Sequence, residues 1–344
     1  MDTRIVKIIE TTEYSEQLRE AAEIIRDGGL VVFPTETVYG LGGNGLFADA
    51  AKAIYAAKGR PSDNPLIIHV ANPSDADNYA FTSELYYRLA KAFMPGPLTV
   101  IMPKRDCIPL SVTGGLDTVA VRCPSHPIAH ALIKEVGVPI AAPSANISGR
   151  PSPTSAKYVI EDMNGRVDMI IDGGECEIGL ESTIVKIDGD SLTLLRPGAI
   201  TYDALCCVCD NVKIAPAVLE KLADNEKPLS PGMKYRHYAP SADFVLLDGD
   251  SEDVLAFMIR EQRDCGCAIL CYDEELASLD CSLSISVGER DDLVTQAKKL
   301  FTSLRDADKL GASRIYAHLP KQEGLGLALY NRMIRAAAHT IKKI

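Results

Sequence analysis

Several features that would mark common classes of protein are missing from this sequence of 344 residues. The N-terminal stretch MDTRIVKIIETTEY lacks the apolar segment of a signal peptide. No run approaches the ~18 apolar residues that a membrane-spanning helix needs. Paired C-x-x-C zinc motifs, the P-loop G-x-x-x-x-G-K-[ST] and the nucleophile elbow G-x-S-x-G are also absent. The absences predict a cytoplasmic protein without a membrane anchor, a zinc module, a P-loop or a serine acyl-enzyme.

Excess positive charge is missing as well. The chain has 36 Lys and Arg against 47 Asp and Glu, a formal net charge of -11. Nucleic acids and anionic membranes are usually bound by a basic face, so an anionic ligand would have to be held by a few locally placed cations. The ten cysteines are expected to be reduced thiols that behave as small hydrophobic residues rather than as metal ligands.

The length is that of about two domains. Over residues 1–205, helical and strand-like segments alternate, and Asp188–Asp190 (DGD) has the signature of a hairpin turn, which predicts an α/β domain with a mixed sheet. Residues 206–241 are rich in proline and are predicted to be a linker or lid. Residues 242–344 show βαβ repetition, which predicts a smaller Rossmann-like parallel sheet. That region has no G-x-G-x-x-G after a strand.

Polar segments adjoin four predicted strands of the first domain. They are Pro34–Leu41 (PTETVYGL), Lys58–Pro65 (KGRPSDNP) leading to a strand that ends at His69, Val121–Pro124 (VRCP), and Ala142–Gly149 (APSANISG). Because ligands of open α/β sheets bind at the carboxyl ends of strands, we expect these segments to share one site. Singly, each could be turn chemistry, a helix cap or a solvated charge. Together, their cations, hydroxyls and amide suit a polyanion plus a small zwitterion.

Longer motifs resemble a known family. PTETVYGLG, KGRPSDNPL, SAN-ISGRPSPT and ESTIVKI resemble the YrdC-like domain, and SPGMKYRHYAP before a Rossmann-like region resembles the two-domain threonylcarbamoyl-AMP synthases. The resemblance covers nearly the whole chain. It implies a YrdC-like twisted mixed sheet with helices around a concave site, followed by a smaller Rossmann-like parallel-sheet domain.

The resemblance also implies an activity. Members of the family are nucleotidyltransferases that condense L-threonine, bicarbonate and ATP to threonylcarbamoyl-AMP and pyrophosphate. The product serves the formation of N6-threonylcarbamoyladenosine in tRNA, so a tRNA threonylcarbamoyl-transferase complex is the expected recipient. Mg²⁺ is the expected cofactor, held mainly by the ATP phosphates. No covalent protein intermediate is required.

Residue roles follow from the matched motifs. The L-threonine pocket is expected at Thr37, His69, Arg122 and Ser182. ATP binding is expected at Lys58, Arg60, Asn64, Thr118, Ser144, Asn146, Ser152, Arg196 and Tyr235, with Lys58 and Arg60 as the catalytic cations. For Glu36, Mg²⁺ binding through water and a local capping role both stay open.

The basic and aromatic segment Ser230–Tyr238 is interpreted in two ways. It is either a solvated linker or a lid that lays Tyr235 near the phosphates and keeps water from the labile product. Three rival functions also stay open: a module that binds structured RNA weakly, an ATP-binding regulator without turnover, and a carbamoyltransferase of the hydrogenase-maturation type. The last is disfavoured because the chain is short and lacks paired zinc motifs.

Overall fold

The structure is a computed structural model that describes residues 2–8, 15–220 and 238–344. The described residues form two compact units. The first comprises residues 2–8, 15–148, 152–177 and 181–220, and the second comprises residues 149–151, 178–180 and 238–344. Residues 221–237 of the predicted linker or lid, including Tyr235, lie outside the described residues. Within the described parts of the chain, no helix is long and apolar enough to cross a bilayer.

The first unit is built on a mixed sheet, as the sequence predicts. Its strands are β1 (Arg4–Lys7), β2 (Val31–Phe33), β3 (Gly40–Asn44), β4 (Ile67–His69), β5 (Leu98–Pro103), β6 (Thr118–Arg122), β7 (Ile140–Ala141), β8 (Met169–Asp172), β9 (Thr183–Asp188), β10 (Ser191–Arg196) and β11 (Val212–Ile214). Their order across the sheet is β1-β8-β2-β3-β7-β4-β6-β5-β9-β10-β11. The sheet contains both parallel pairs such as β4–β6 and antiparallel pairs such as β5–β6, so the fold class is confirmed.

Helices cover this sheet on both sides. They are α1 (Ser15–Arg26), α2 (Ala48–Lys58), α3 (Glu84–Phe93), α4 (Leu110–Thr113), α5 (Pro127–Val136), α6 (Ala156–Met163) and α7 (Tyr202–Cys206), with short 3₁₀ helices at Pro73–Asn78 and Pro216–Val218. Successive strand residues point to opposite faces. In β2, Val32 joins one buried cluster, whereas Val31 and Phe33 join a second one together with residues of α1 and α5. The sheet is therefore buried on both faces at this point.

Two predicted boundaries differ from the structure. No strand is predicted over the glycine-rich Gly40–Asn44 (GLGGN), yet this segment is strand β3. A side chain at Gly42 would come within 2.7 Å of the Phe33 ring and 2.8 Å of Ile140, so glycine is what lets this strand lie between its neighbours. Residues 206–220, assigned to the predicted linker, include β11, which pairs in parallel with β10 and belongs to the first unit.

The second unit is the predicted small parallel sheet. Its elements are β12 (Asp243–Asp248), α8 (Ser251–Cys265), β13 (Ala268–Cys271), β14 (Ser284–Ser286), α9 (Leu293–Lys309), β15 (Arg314–His318), α10 (Gly326–Ala336) and β16 (Ile341–Lys343), with 3₁₀ helices at Asp273–Ser278 and Cys281–Leu283. The strand order is β14-β13-β15-β12-β16, and every pair is parallel. The last helix ends at Ala336, and Ala338 and His339 then take positive φ angles of 48° and 63° and turn the chain into β16.

Candidate active site

A row of side chains on neighbouring strands forms the centre of the candidate site. Arg122, the last residue of β6, lies opposite Thr99 of β5 on one side and opposite His69 of β4 on the other. His69 lies in turn opposite Ile140 of β7. Directly opposed residues of a sheet project to the same face with Cβ atoms about 5 Å apart. Strand register thus brings together two predicted threonine-pocket residues that are far apart in sequence.

Arg122 is paired with Glu36, which is carried to it by the loop after β2. Arg122 Nη2 and Glu36 Oε1 are 2.7 Å apart, and only 5% and 4% of the two side chains are exposed. Burial alone would raise the pKa of Glu36. The charge and hydrogen bond of Arg122, with backbone donors, outweigh burial and hold that pKa below its ordinary value. Glu36 is therefore ionised at neutral pH, in an ion pair that neither of its two predicted roles includes.

The loop after β2 is organised by its hydroxyl groups. Thr35 Oγ1 donates to the carbonyl of Val38 at 2.6 Å and lies 2.9 Å from Thr37 Oγ1. Because the one hydroxyl hydrogen of Thr35 goes to Val38, Thr37 is the donor between the two threonines, and its oxygen can still accept. A β-bridge between Gly40 and Ser144 joins this loop to the predicted segment 142–149. The first and fourth polar segments therefore meet.

Lys58, the last residue of α2, reaches into the same segment. The helix ends there because Gly59 takes a left-handed conformation with φ 62°. The buried ammonium group donates to the carbonyls of Ser144 and Asn146, the latter at 2.7 Å, and to Asn146 Oδ1 at 3.2 Å. Asn146 Oδ1 also accepts from Ser144 Oγ at 2.6 Å. Lys58 thus fixes the backbone of the S-x-N motif, and a bound phosphate would share the ammonium group with these carbonyls.

Arg60 organises the loop that leads into β4. Its Nη2 donates to the carbonyls of Asn64 at 3.2 Å and Pro65 at 3.0 Å. β4 pairs in parallel with β6, and Thr118 is the first residue of β6. Arg60 and Asn64 therefore precede β4 on the side of the sheet from which β6 also starts.

The predicted residues occupy both ends of the central strands. Thr118 and Arg122 are the first and last residues of β6, which is a separation of about 13 Å along a strand. His69 lies at the carboxyl end of β4 beside Arg122, whereas Arg60 lies near the amino ends. The expectation that all polar segments gather at carboxyl strand ends is therefore corrected, because the Lys58–Pro65 segment precedes its strand. The site runs along the sheet face instead of across one edge.

Ser182 connects two strands at the threonine end. Arg196 donates from Nε to the Ser182 carbonyl at 3.0 Å and from Nη2 to Ser182 Oγ at 3.1 Å. Ser182 Oγ lies 2.7 Å from Thr99 Oγ1, and Thr99 is the cross-strand neighbour of Arg122. Arg196, which the resemblance assigns to ATP, is thus bonded to a residue that it assigns to threonine.

Sequence reasoning missed three buried residues of this site. Thr99 lies in an otherwise apolar strand that carries no site motif, and its position opposite Arg122 in the sheet places it in the site. Glu181 accepts from Ser152 Oγ at 2.6 Å, and its place in the EST motif was the one available signal. Tyr39 donates from its hydroxyl to the Gly174 carbonyl at 2.6 Å, and burial raises the pKa of this phenol.

His69 is neutral in the folded protein. Burial first, and then the charge of Arg122, lower its pKa to about 3. Its Nδ1 lies 3.3 Å from the carbonyl oxygen of Ile140. Since a carbonyl can only accept, Nδ1 carries the proton and Nε2 is an acceptor. His69 can therefore accept a hydrogen bond from a ligand hydroxyl without adding charge.

Positive charge is concentrated in this site. Four cationic side chains are buried in the described part of the first unit, namely Lys58, Arg60, Arg122 and Arg196, with between 2% and 8% of their surface exposed. All four belong to the predicted site. In a chain of net charge -11, this grouping meets the condition that an anion be held by locally placed cations.

The donor atoms of the site suit a metal ion that arrives with its ligand. Among the described residues, no group of three or more His, Cys, Asp or Glu side chains is arranged to hold a metal. The site offers hydroxyls, amides and cations, and its carboxylate Glu36 is engaged by Arg122. Mg²⁺ keeps several waters and commonly binds through substrate phosphates, and this donor set fits that mode.

The chain is similar to known proteins over nearly its whole length. A Sua5–YciO–YrdC family model, described as "Telomere recombination", matches residues 23–198, and a model for the C-terminal domain of threonylcarbamoyl-AMP synthase matches residues 200–338. The threonylcarbamoyl-AMP synthase of Pyrococcus abyssi is 44% identical over 99% of this chain and 100% of its own length. That of Bacillus subtilis is 44% identical over 93% of each protein.

Solved structures agree with these relatives. A crystal structure of P. abyssi Sua5 complexed with L-threonine matches this chain with a TM-score of 0.92 at 44% identity, covering 99% of this chain and 100% of that one. Escherichia coli YciO matches with a TM-score of 0.52 at 25% identity, covering 57% of this chain and 96% of its own.

Proposed function

The chain belongs to the two-domain threonylcarbamoyl-AMP synthase family, and on that premise we propose that it condenses L-threonine, bicarbonate and ATP to threonylcarbamoyl-AMP and pyrophosphate. The family makes the protein an enzyme, and nucleotidyl transfer is the proposed class of its reaction. The product would pass to a tRNA threonylcarbamoyl-transferase complex.

The threonine end of the site fits a hydroxylated amino acid. Arg122 would receive the carboxylate through charge-assisted hydrogen bonds, with Ser182 closing the pocket beside it. The neutral His69 Nε2 and the free lone pairs of Thr37 are acceptors for the threonine hydroxyl. The P. abyssi protein has been crystallised with L-threonine, which supports the same substrate here.

The other end of the site fits ATP. Lys58, Arg60, Ser144 and Asn146 would screen the phosphates, with Asn64, Thr118, Ser152, Arg196 and Tyr235 as further ATP residues. Mg²⁺ would enter with the nucleotide and stabilise the departing pyrophosphate. Tyr235 lies outside the described residues, and its role rests on the family motif.

The proposed reaction needs positioning and charge screening rather than a protein nucleophile. The threonine ammonium group and bicarbonate give a carbamate, by capture of CO₂ on the deprotonated amine, with one water and one proton released to solvent. A carbamate oxygen then attacks the α-phosphorus as pyrophosphate leaves. Oriented binding of two reactants is worth a large share of such a barrier, and fixed cations add to it. The observation that carries the proposal is that all four buried cations of the described first unit are residues of the predicted site, with Arg122 beside His69 and Arg196 bonded to Ser182.

An omission assay tests the proposal. Purified protein is mixed with ATP, Mg²⁺, bicarbonate and L-threonine, and pyrophosphate is measured together with the mass of the nucleotide product. Pyrophosphate release that depends on each component, with a threonylcarbamoyl adduct of AMP, supports the synthase. ATP binding without an adduct would replace it with a regulator. RNA retention that weakens with salt, without ATP chemistry, would replace it with an RNA-binding module.

A further inference from the structure

The ion pair at the threonine end leaves two polar atoms unused. Among the described residues, Glu36 Oε2 and Arg122 Nε are both buried and have no hydrogen-bond partner, although Glu36 Oε1 and Arg122 Nη2 are bonded at 2.7 Å. Buried polar atoms in proteins are almost always hydrogen-bonded. An unused acceptor and an unused donor on one ion pair therefore indicate a ligand that supplies both a donor and an acceptor.

The two unused atoms also differ in charge. Glu36 is ionised, because Arg122 and backbone donors hold its pKa below the ordinary value, so Oε2 is an anionic acceptor. Arg122 Nε belongs to a permanently charged guanidinium and is a cationic donor. A ligand with a cationic group next to an anionic group complements this arrangement, whereas a simple carboxylate matches only half of it.

We propose that Glu36 Oε2 is the subsite for the α-ammonium group of the amino acid substrate, while Arg122 of the same pair receives its α-carboxylate. This inference rests on the proposed function, which takes the amino acid to be L-threonine. An α-amino acid carries its ammonium and carboxylate on one carbon, so it presents both groups to neighbouring atoms of the ion pair. After CO₂ capture the carbamate nitrogen keeps one N–H, which can still donate to Glu36. Glu36 thereby selects amino acids over hydroxy acids of the same shape.

Binding of L-threonine and of 2,3-dihydroxybutyrate, its analogue with a hydroxyl in place of the amine, tests the subsite. Calorimetry of the full-length protein without ATP should show about ten- to a hundredfold tighter binding of threonine, since a charge-assisted hydrogen bond is lost in the analogue. In Glu36→Gln, which keeps an oxygen for Arg122 but loses the negative charge, the preference should fall to about threefold or less.

A matched control separates the subsite from the loss of any buried pair. The Glu275 side chain in the second unit is also buried and pairs with Arg290 at 2.8 Å and with His318 at 2.9 Å, so Glu275→Gln likewise removes a buried, paired carboxylate charge and should keep the wild-type preference. The inference is overturned if Glu36→Gln keeps that preference too, or if it weakens both ligands by the same factor, as a residue that only positions Arg122 would.

Two outcomes do not depend on the variant folding. If the wild-type protein binds the hydroxy analogue as tightly as threonine, or binds neither, the subsite is wrong. Because these measurements use no ATP, they are independent of the synthesis assay. Failure to form the AMP adduct would overturn the proposed function while a threonine preference that depends on Glu36 would still stand.

Discussion

Replacing Lys58 with methionine should lower both the stability of the first unit and the rate of turnover. Methionine keeps most of the length of the side chain and removes the ammonium group. Lys58 is 2% exposed, and its ammonium group donates hydrogen bonds to the carbonyls of Ser144 and Asn146 and to the side-chain oxygen of Asn146. The substitution therefore acts on a buried hydrogen-bonded network rather than on a solvated charge.

The size of the stability loss is set by the buried acceptors that lose the Lys58 ammonium group. Asn146 Oδ1 keeps its hydrogen bond from Ser144 Oγ, so the two carbonyls bear most of the loss. A buried acceptor deprived of its partner costs about 1–3 kcal/mol, and relief from burying the ammonium offsets part of this. We expect a net loss of about 2–3 kcal/mol in the free energy of unfolding. Turnover should fall at least about a hundredfold, as when a preorganised charge is removed from a reacting centre.

Urea unfolding and pyrophosphate release measure the two effects. Lys52→Met is the matched control, since Lys52 lies on the same helix with 70% of its side chain exposed and pairs with the exposed Asp49. Its unfolding free energy should change by less than about 0.5 kcal/mol and its turnover should not change. If Lys58→Met behaves like Lys52→Met in both assays, the role assigned to Lys58 is refuted.

Four further predictions follow from the site. Arg60→Ala should cut turnover at least about a hundredfold while calorimetric threonine affinity stays normal, and unaltered turnover would contradict the phosphate assignment. Arg122→Ala should chiefly raise the KM for threonine, and should also destabilise the fold by leaving Glu36 unpaired; an unchanged KM would remove Arg122 from the pocket. Below pH 6.5, the ordinary pKa of histidine, His69 becomes protonated in the unfolded chain. In the folded protein its pKa is about 3, so it stays neutral there. Acidification from pH 7 to 5 should thus cost the wild type about 2 kcal/mol more stability than His69→Gln, and equal losses in urea unfolding would refute the neutral His69. Chelation of Mg²⁺ should abolish pyrophosphate release and added Mg²⁺ should restore it; release that persists in chelator would exclude the ion.

Local signals in the sequence are sufficient to predict several elements of the fold. Helix α5 runs over Pro127–Val136, and local residues mark both of its ends: proline opens it and Gly137 closes it with φ 73°. The hairpin of β9 and β10 turns at Gly189 with φ 61°, as the Asp-Gly pair predicts. No strand was predicted at β3. Its glycines Gly40 and Gly42 lie against the Phe33 ring of the neighbouring strand, and no local sequence pattern reports that contact.

In the site, too, local sequence motifs identify residues, whereas contacts between distant residues appear only in the structure. Motifs identified Lys58 and Asn146, and the structure brings them into contact. The ion pair of Glu36 and Arg122 joins residues 86 positions apart, and Thr99 belongs to the site through its place opposite Arg122 and its contact with Ser182. Sequence patterns report which side chains carry chemistry, whereas strand register decides which of them meet.

The proposed synthesis of threonylcarbamoyl-AMP is tested most sharply by labelling the carbon of bicarbonate. The full-length protein is given ATP, Mg²⁺, L-threonine and ¹³C-bicarbonate, and the nucleotide products are analysed by mass spectrometry. A threonylcarbamoyl-AMP synthase should give an AMP adduct that contains threonine and is heavier by the single labelled carbon, with pyrophosphate in equal amount. Pyrophosphate release with an adduct that lacks the label, or ATP turnover that needs neither threonine nor bicarbonate, would contradict it.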